Sequence, residues 1–280
     1  MTEKQEQELR LFALQIRIGL LEAIRARGFG HVGGSLSIAD ALAVLYGDVM
    51  RYDPEDPGWE ARDKLVCSKG HAGPAVYAAL ALKGFFPYET LRTLNQPGTI
   101  LPSHCDRRLT PGVDMTTGSL GQGASLAVGM ALGDRLKGLD ARTYLIVGDG
   151  EANEGQVWEA AMLAAAKQVT NLVWLIDCNG KQLDGATRDI LNPFDLEEKF
   201  RAFGFEALSI DGNDLTQLTS ALHRQPLEKP LAIILHTVKG KGVPAVETAR
   251  SNHSMSPSDE VFAQWISDLR AQYETLSQEV

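Results

Sequence analysis

The spacing of apolar residues along the chain predicts helices that alternate with buried strands. Five segments carry apolar side chains at helical spacing, namely residues 7–27, 37–45, 72–83, 156–167 and 215–223. Ser37 stands where an N-cap residue is expected for the second helix. Gly28 and Gly84 follow the first and third helices, and glycine is typical of helix C-termini.

Four short apolar runs without alternation predict strands that are buried on both faces. They are residues 64–67, 144–147, 172–176 and 231–235. Strands and helices that alternate in this way predict an α/β fold, with a doubly wound, mainly parallel sheet and helices on both faces. The chain contains no internal repeat or linker, so we expect one domain over residues 1–280. Ligands of such sheets bind beyond the carboxyl ends of the strands.

Composition and charge narrow the classes of function. Hydrophobic residues make up 44% and charged residues 22%, as in ordinary soluble domains, and the net charge of -9 disfavours nucleic-acid binding. An anionic ligand therefore needs local devices such as helix N-termini or a metal ion. We expect no membrane partner, because no apolar run reaches the length of a bilayer span. The polar, acidic start is no targeting leader, and three scattered cysteines predict neither disulfides nor a metal site, so we expect a cytoplasmic location.

The ends of the second and third predicted strands carry the candidate chemistry. Gly148-Asp149-Gly150 follows the second strand, and Asn179 follows the third. A carboxylate and an amide oxygen at one edge of a parallel sheet are hard oxygen ligands, which suit a Mg²⁺ ion that also contacts phosphate groups. Taken alone, Asp149 is better explained as a helix cap, and Asn179-Gly180 as a turn; it is the pairing of Asp149 with Asn179 that favours a ligand site.

Several motifs together resemble one enzyme family. Gly148-Asp149-Gly150, followed after 28 residues by Asn179, resembles the thiamine diphosphate signature. Other segments resemble those of transketolases in the same order: residues 30–37, 62–71, 101–104, 116–123, 148–155, 192–194, 201–204 and 239–242, with His253 after them. The resemblance covers roughly residues 10–260 and corresponds to the first third to half of a full-length transketolase. The chain is most similar to transketolase N-terminal subunits, which some organisms encode apart from the C-terminal partner.

The resemblance implies ketol transfer by thiamine diphosphate and a divalent metal, Mg²⁺ or alternatively Ca²⁺ or Mn²⁺. It assigns the metal to Asp149, Asn179 and the backbone carbonyl of Lys181. It assigns cofactor binding to Gly118, Ser119, Leu120, Gly148, Asp149, Gly150, Glu151, Glu154 and Asn179. The residues that align with catalytic histidines are His31, His71, His104 and His253.

The sequence departs from the family pattern at several positions. Lys181 stands where the family usually has an aliphatic residue, and Ser103 and Cys105 replace the family's glycine and proline beside His104. The loop that contains His253 matches only loosely. Asn213 replaces the histidine of an Asp-Gly-His-Asp segment, which we interpret as a helix-start turn without a catalytic role.

The resemblance also implies a partner chain. The glutamate that activates the cofactor belongs to a pyrimidine-binding domain, which in transketolases follows the part matched here. We therefore expect a C-terminal transketolase subunit to supply it, in a heterotetramer with two copies of each chain, acting on sugars or sugar phosphates. Glu154 resembles a glutamate that joins a carboxylate network across the dimer interface of the family.

Four alternative interpretations stay open. One is the α subunit of a 2-oxo acid dehydrogenase, which the paired Gly-His segments and residues 118–123 disfavour. Another is a transketolase-like enzyme for an unusual or modified sugar, for which the departures near His104 and at Lys181 leave room. A third is a non-catalytic binding subunit of the same fold, which the intact Asp149 and Asn179 disfavour. The last, a nicotinamide-binding domain, lacks a Gly-x-Gly-x-x-Gly between a strand and a helix.

Overall fold

The computed structural model describes residues 1–183, 185–224 and 228–278, and in this part of the chain a five-stranded parallel sheet forms the centre. The strands in chain order are β1 Lys64–Cys67, β2 Thr143–Gly148, β3 Leu172–Cys178, β4 Lys181–Gln182, β5 Gly185–Ala186, β6 Glu206–Asp211 and β7 Leu231–His236. The order across the sheet is β1-β2-β3-β7-β6, and β4 and β5 form a separate antiparallel hairpin. The predicted parallel sheet is confirmed.

Helices connect the strands. They are α1 Glu3–Arg27, α2 Val32–Leu36, α3 Ala39–Val44, α4 Gly73–Leu82, α5 Gln122–Leu136, α6 Gly155–Ala166, α7 Thr187–Leu191, α8 Leu196–Ala202, α9 Leu215–Leu222, α10 Pro244–Glu247 and α11 Asp259–Ser277. Short 3₁₀-helices cover Gly70–Ala72, Tyr88–Thr93 and Glu151–Asn153, and a π-helical turn covers Leu45–Val49. The five predicted helices all occur, but the second begins at Ala39 rather than at Ser37.

The later start of the second predicted helix corrects the assignment of Ser37. Ser37 is the C-cap of α2 rather than an N-cap, and α3 begins two residues later. The Ser37 hydroxyl donates a hydrogen bond to the Asp177 carboxylate at 2.8 Å. A serine that the sequence pattern indicates as a helix cap therefore donates a hydrogen bond to a carboxylate on a distant strand. That carboxylate is buried, and a buried carboxylate requires hydrogen-bond donors.

The two faces of the sheet pack against different sets of helices, which explains the continuous apolar runs. In β2, Tyr144 and Ile146 face a core that is shared with α1, α3, α4 and α11, whereas Leu145 and Val147 face a second core with α5 and α6. Successive side chains of a strand point to opposite faces, so both sets must be apolar when both faces are covered. The prediction of helices on both faces is confirmed.

The edge strand β6 was missed by the sequence analysis. Only Ala207 is buried in this strand; Leu208 and Ile210 are half-buried and Ser209 is exposed. Continuous apolar runs are typical of strands that are covered on both faces, and β6, in which Ser209 and Asp211 are exposed, does not fulfil that condition.

One apolar segment corrects the expectation that no run is long enough to cross a bilayer. Val32–Val49 has 18 residues and a mean hydropathy of 1.3, which meets the length and composition of a membrane span. However, 83% of this segment is buried inside the fold. It comprises α2, α3 and the π-helical turn, so in this structure it is part of the core beside α1.

Candidate active site

The ends of β2 and β3 bring the two predicted metal ligands together. Gly148 lies opposite Asp177 in the parallel register, and the Asp149 backbone N–H donates to the Asp177 carbonyl at 3.1 Å. The Asp149 Oδ2 atom accepts a hydrogen bond of 2.8 Å from the backbone N–H of Gly180, next to Asn179. Asp149 and Asn179 line the same cavity of about 340 Å³ at the carboxyl edge of the sheet.

The Asp149 carboxylate is buried in a way that favours a cation nearby. Only 2% of the residue is exposed, and burial raises its pKa, as does the negative charge of Asp177. Hydrogen bonds from the Thr187 hydroxyl and from the N–H groups of Gly150 and Gly180 fix both carboxylate oxygens. A divalent ion at this carboxylate would offset the cost of burying the charge.

The other two predicted ligands present oxygen atoms in the same short segment. The Asn179 amide donates to the Asp177 carboxylate at 2.9 Å, and its Oδ1 atom accepts the Lys181 N–H at 3.1 Å. The Lys181 carbonyl accepts a hydrogen bond of 3.1 Å from the Lys239 ammonium, so this oxygen already contacts a cationic group. An amide oxygen and a backbone carbonyl oxygen are ligand atoms that suit a hard divalent ion.

The predicted metal site contains only one side chain of the types that usually form metal clusters in proteins, the carboxylate of Asp149. Among residues 1–183, 185–224 and 228–278, no group of three or more His, Cys, Asp or Glu side chains is arranged to hold a metal. The predicted set has one carboxylate, one amide and one backbone carbonyl, so it does not require such a group. The assignment of Asp149, Asn179 and Lys181 as ligands stays a prediction.

A buried ion pair supports this edge of the sheet. The Lys69 ammonium donates to the Asp177 carboxylate, and the two side chains are 2% and 0% exposed. Asp177 also accepts hydrogen bonds from Ser37, Asn179 and Thr237. Burial alone would raise the pKa of Asp177, but the Lys69 charge and these donors lower it below its usual value. Asp177 is therefore an ionised carboxylate that holds four segments of the chain together.

Three lysines converge on the cavity, and the sequence analysis gave none of their side chains a role. Lys69, Lys181 and Lys239 all line it. Lys239 is 4% exposed, and burial together with the charge of Lys69 lowers its pKa to about 8. Ammonium groups around a cavity of this size bind phosphate groups as point charges. The signal in the sequence is a lysine directly before a glycine in each of two segments, Ser68-Lys69-Gly70 and Val238-Lys239-Gly240.

Glu151, whose binding to the cofactor stays a prediction, connects three segments of the protein. It is 3% exposed, and burial raises its pKa. Its carboxylate accepts hydrogen bonds from the Ser68 hydroxyl, from the Gly121 N–H at 2.8 Å and from the Gly148 N–H at 3.0 Å. It thereby fixes the ends of β1 and β2 and the start of α5. Gly148, also predicted for cofactor binding, lines the cavity with it.

The other predicted cofactor residues differ in how they meet the cavity. Gly150 lines it, and a side chain there would come within 2.8 Å of the Gln182 Cβ atom. Leu120 and Glu154 are exposed residues on its wall. Gly118 packs near the His104 ring, which would lie 3.6 Å from an added Cβ atom. Ser119 is a neighbour that precedes α5.

The four predicted histidines form one cluster beside the cavity. The His31 ring centroid lies 5.3 Å from that of His71, 6.0 Å from that of His104 and 5.1 Å from that of His253. His71 and His253 are 4.7 Å apart, and both line the cavity. The segments around His104 and His253 match the family loosely, yet the fold places both rings in the cluster. Their catalytic role stays a prediction.

The histidines are held neutral at physiological pH. Burial lowers the pKa of all four, and for His253 burial and the Lys239 charge lower the pKa to about 4. A neutral imidazole can accept a proton from a substrate hydroxyl and return it. In contrast, His223 is a surface residue whose ring lies 2.7 Å from the Asp48 carboxylate, outside the cluster.

Comparisons with known proteins identify the family of the chain. The family model described as "Transketolase, thiamine diphosphate binding domain" matches residues 10–273. The chain is 51% identical to a 6-deoxy-6-sulfo-D-fructose transketolase subunit of Clostridium sp. (strain MSTE9) over 95% of this chain and 98% of that one. It is 35% identical to one of the apulose-4-phosphate transketolase subunits, that of Phocaeicola vulgatus, over 98% of each chain.

Solved structures show the same fold. The chain superposes on transketolase from Campylobacter jejuni with a TM-score of 0.84 and 28% identity, over 99% of this chain and 48% of that one. The chain thus spans about half the length of the solved transketolases that it matches.

Proposed function

The chain belongs to the transketolase family, in its thiamine diphosphate binding domain, and we propose that it is the N-terminal subunit of a split transketolase. In this proposal the complex moves a two-carbon ketol unit from a ketose donor to an aldose acceptor. The observation that carries the proposal is the convergence on one cavity of Asp149, Asn179, three lysines and a histidine cluster. The lysines, which can bind anions, and the histidines, which can transfer protons, therefore lie at one cavity.

The residues of the cavity suit the diphosphate of the cofactor and a metal ion. Asp149, the Asn179 amide oxygen and the Lys181 carbonyl would hold Mg²⁺, or Ca²⁺ or Mn²⁺ in its place. Lys69 and Lys239 would pair with the phosphate oxygens, which offsets the acidic charge of the chain as a whole. When bound, thiamine diphosphate supplies the carbanion chemistry, and the protein supplies position and electrostatics.

The neutral histidines supply proton acceptors for the sugar. His71 and His253 line the cavity, and the His31 ring lies beside both of them. The His104 ring lies beside that of His31, with 6.0 Å between the ring centroids. Their imidazole nitrogens would accept a proton from a ketose hydroxyl when the carbon–carbon bond breaks. The same nitrogens would return the proton to the acceptor sugar.

A second polypeptide completes the site in this proposal. Large apolar side chains at the mouth of the cavity remain exposed, namely Leu120, Leu183, Ile190 and Leu191, with exposed fractions of 40–64%. Exposed apolar groups that ring a cavity are typical of surfaces that another chain covers. We propose that a C-terminal transketolase subunit covers them and supplies the activating glutamate, in a heterotetramer with two copies of each chain.

The donor sugar that we propose first is a 6-deoxy-6-sulfoketose. The support is the 51% identity with a subunit named for 6-deoxy-6-sulfo-D-fructose, together with the departures from the family pattern at Ser103, Cys105 and Lys181. The second candidate is an ordinary ketose phosphate, and apulose-4-phosphate belongs in the comparison because a relative is named for it.

The test is a ketol-transfer assay of the chain with its partner, thiamine diphosphate and Mg²⁺. The donors are 6-deoxy-6-sulfofructose, fructose 6-phosphate, xylulose 5-phosphate and apulose 4-phosphate, and Asp149→Asn is the matched inactive control. We expect turnover of the sulfonated ketose by the complex and none by either chain alone. Turnover by the isolated chain would refute the partner requirement, and preference for a phosphate would refute the proposed donor.

A binding experiment separates a catalytic subunit from a non-catalytic one of the same fold. Titration of the complex with thiamine diphosphate should give binding with Mg²⁺ and at least about a hundredfold weaker binding with a chelator, because the ion neutralises the diphosphate. Asp149→Asn should weaken the Mg²⁺-dependent binding to a similar extent. Binding that ignores both the metal and this substitution would contradict the proposed site.

A further inference from the structure

Lys181 contacts two parts of the candidate site at once. Its backbone N–H donates to Asn179, and its carbonyl accepts from Lys239. Its side-chain ammonium reaches away from the hairpin and donates to the carbonyls of Glu247 at 3.4 Å and Ala249 at 3.1 Å. The residue whose backbone borders the predicted metal site is thus also bonded to a distant loop through its side chain.

The loop that Lys181 reaches, residues 237–253, carries both Lys239 and His253. Its only regular structure in this range, which the structure describes in full, is α10, a helix of four residues. So short a helix is not stable by itself, because helix nucleation costs more than one turn returns. The Glu247 and Ala249 carbonyls lie at the C-terminal end of α10, where free carbonyls carry partial negative charge and a lysine stabilises them.

The opposite side of the loop is attached to the segment of His31. The Asn252 amide donates to the carbonyls of Lys239 at 3.1 Å and Val246 at 2.9 Å, and its own backbone carbonyl accepts the Gly33 N–H at 2.9 Å. With this attachment on one side and Lys181 on the other, the Lys239 ammonium lies 3.3 Å from the His253 Nδ1 atom.

We propose that Lys181 is a positioning residue, whose ammonium fixes the loop of residues 237–253 so that Lys239 and His253 face the cavity. An aliphatic side chain at this position could not donate to the two carbonyls, so the attachment belongs to the lysine itself. The expected effect on cofactor binding rests on the proposed function, whereas the attachment of the loop does not.

Hydrogen–deuterium exchange of the full chain with its partner tests the attachment directly. The variants are Lys181→Met, which keeps the length but has no donor, and Lys181→Arg, which keeps the donors. Lys4→Met is the control, because Lys4 makes only an exposed pair with Glu8 at 3.8 Å. We expect the amides of residues 246–249 to exchange about tenfold faster in Lys181→Met, because it loses two hydrogen bonds from a charged group, of which the one to Glu247 is long at 3.4 Å. In Lys181→Arg and Lys4→Met the exchange should stay within about twofold of wild type.

The location of the change separates positioning from a general loss of stability. Amides of β2 and β3 should exchange as in wild type in all variants. Unchanged exchange at residues 246–249 in Lys181→Met would overturn the proposal, as would equally fast exchange throughout the sheet or a failure of arginine to restore protection.

A second measurement connects the attachment to the site. The complex with Lys181→Met should bind thiamine diphosphate and Mg²⁺ about fivefold to tenfold more weakly in calorimetry, with arginine restoring the affinity, because a loosened loop must be ordered again on binding. If wild type itself binds no cofactor, the proposed function fails while the exchange result still decides the role of Lys181. Unchanged affinity together with faster exchange would overturn the proposed effect on Lys239 and His253.

Discussion

The ion pair of Lys69 and Asp177 is buried, so its contribution to the stability of the fold can be tested by removing one partner. Lys69→Met keeps the length and apolar stem of the side chain and removes its charge together with the hydrogen bonds of the ammonium to Asp177 and Ser37. Asp177 then stays 0% exposed, with Ser37, Asn179 and Thr237 as its remaining donors. All three donors are uncharged, so the carboxylate is left as a buried charge without a counterion.

The magnitude follows from what remains around the carboxylate. Removing one partner of a buried ion pair costs about 3–5 kcal/mol. Because three hydrogen bonds persist, we expect the lower end, about 3 kcal/mol of the free energy of unfolding at pH 7.5. The exposed pair of Lys137 and Glu60 offers a control, since its side chains are 58% and 70% exposed. Lys137→Met should cost less than about 1 kcal/mol.

The sign of the pH dependence should reverse between wild type and variant. In wild type the folded pKa of Asp177 is lowered, so its stabilising contribution is present above the unfolded pKa and is lost as pH falls through the folded pKa. Without Lys69, burial dominates and raises the folded pKa above the unfolded value. The contribution of Asp177 is then present at low pH and lost as pH rises, so the gap between variant and wild type should widen from pH 5 to pH 8.

Urea unfolding at several pH values measures this, with tryptophan fluorescence as the signal because Trp174 is fully buried in the core. The double variant Lys69→Met/Asp177→Asn should recover part of the loss, since it removes the unpaired charge. A loss in Lys69→Met no greater than that in Lys137→Met, or a gap that does not change with pH, would refute the assignment of the pair.

Three further outcomes follow from the same contacts. With the pKa of Lys239 lowered to about 8, its ammonium loses its proton above that pH, so the affinity for the cofactor should fall about tenfold from pH 7 to pH 9. The affinity of Lys239→Met should not show this pH dependence. If titration calorimetry gave the same pH dependence for wild type and Lys239→Met, the result would contradict the argument. The His253 ring should titrate with a midpoint of about 4 in NMR, so stability falls as pH drops from the unfolded value through that midpoint; a midpoint near 6.5 would contradict the burial argument. Gly150→Ala places a methyl group 2.8 Å from the Gln182 Cβ atom and should lower the free energy of unfolding in urea by about 1–3 kcal/mol. Gly155→Ala is the control and should change it little, because no atom lies within 4 Å of the added methyl group. Equal losses of free energy in the two variants would argue against the close approach at Gly150.

The sheet and the position of its functional edge were predictable from the amino-acid sequence. Residues 64–67 were predicted as a strand and are β1 without change, and the predicted order of strands and helices recurs in the structure. Asp149 and Asn179 were expected to meet because each follows a parallel strand, and they line one cavity. These inferences succeed because they depend on local periodicity and on a general property of parallel sheets.

Other features depend on contacts between segments far apart in the chain, and they became visible only in the folded molecule. Lys69 and Asp177 are 108 residues apart, and nothing near either one in sequence indicates that they pair. Ser37 resembles a helix N-cap in the sequence but donates a hydrogen bond to Asp177, and Glu151, predicted to bind the cofactor, also connects three segments of the chain. Local sequence reports which side chains are buried. Which buried charge meets which partner is set by how strands and helices pack, because the cost of burial is relieved only by groups that the fold brings within hydrogen-bonding distance.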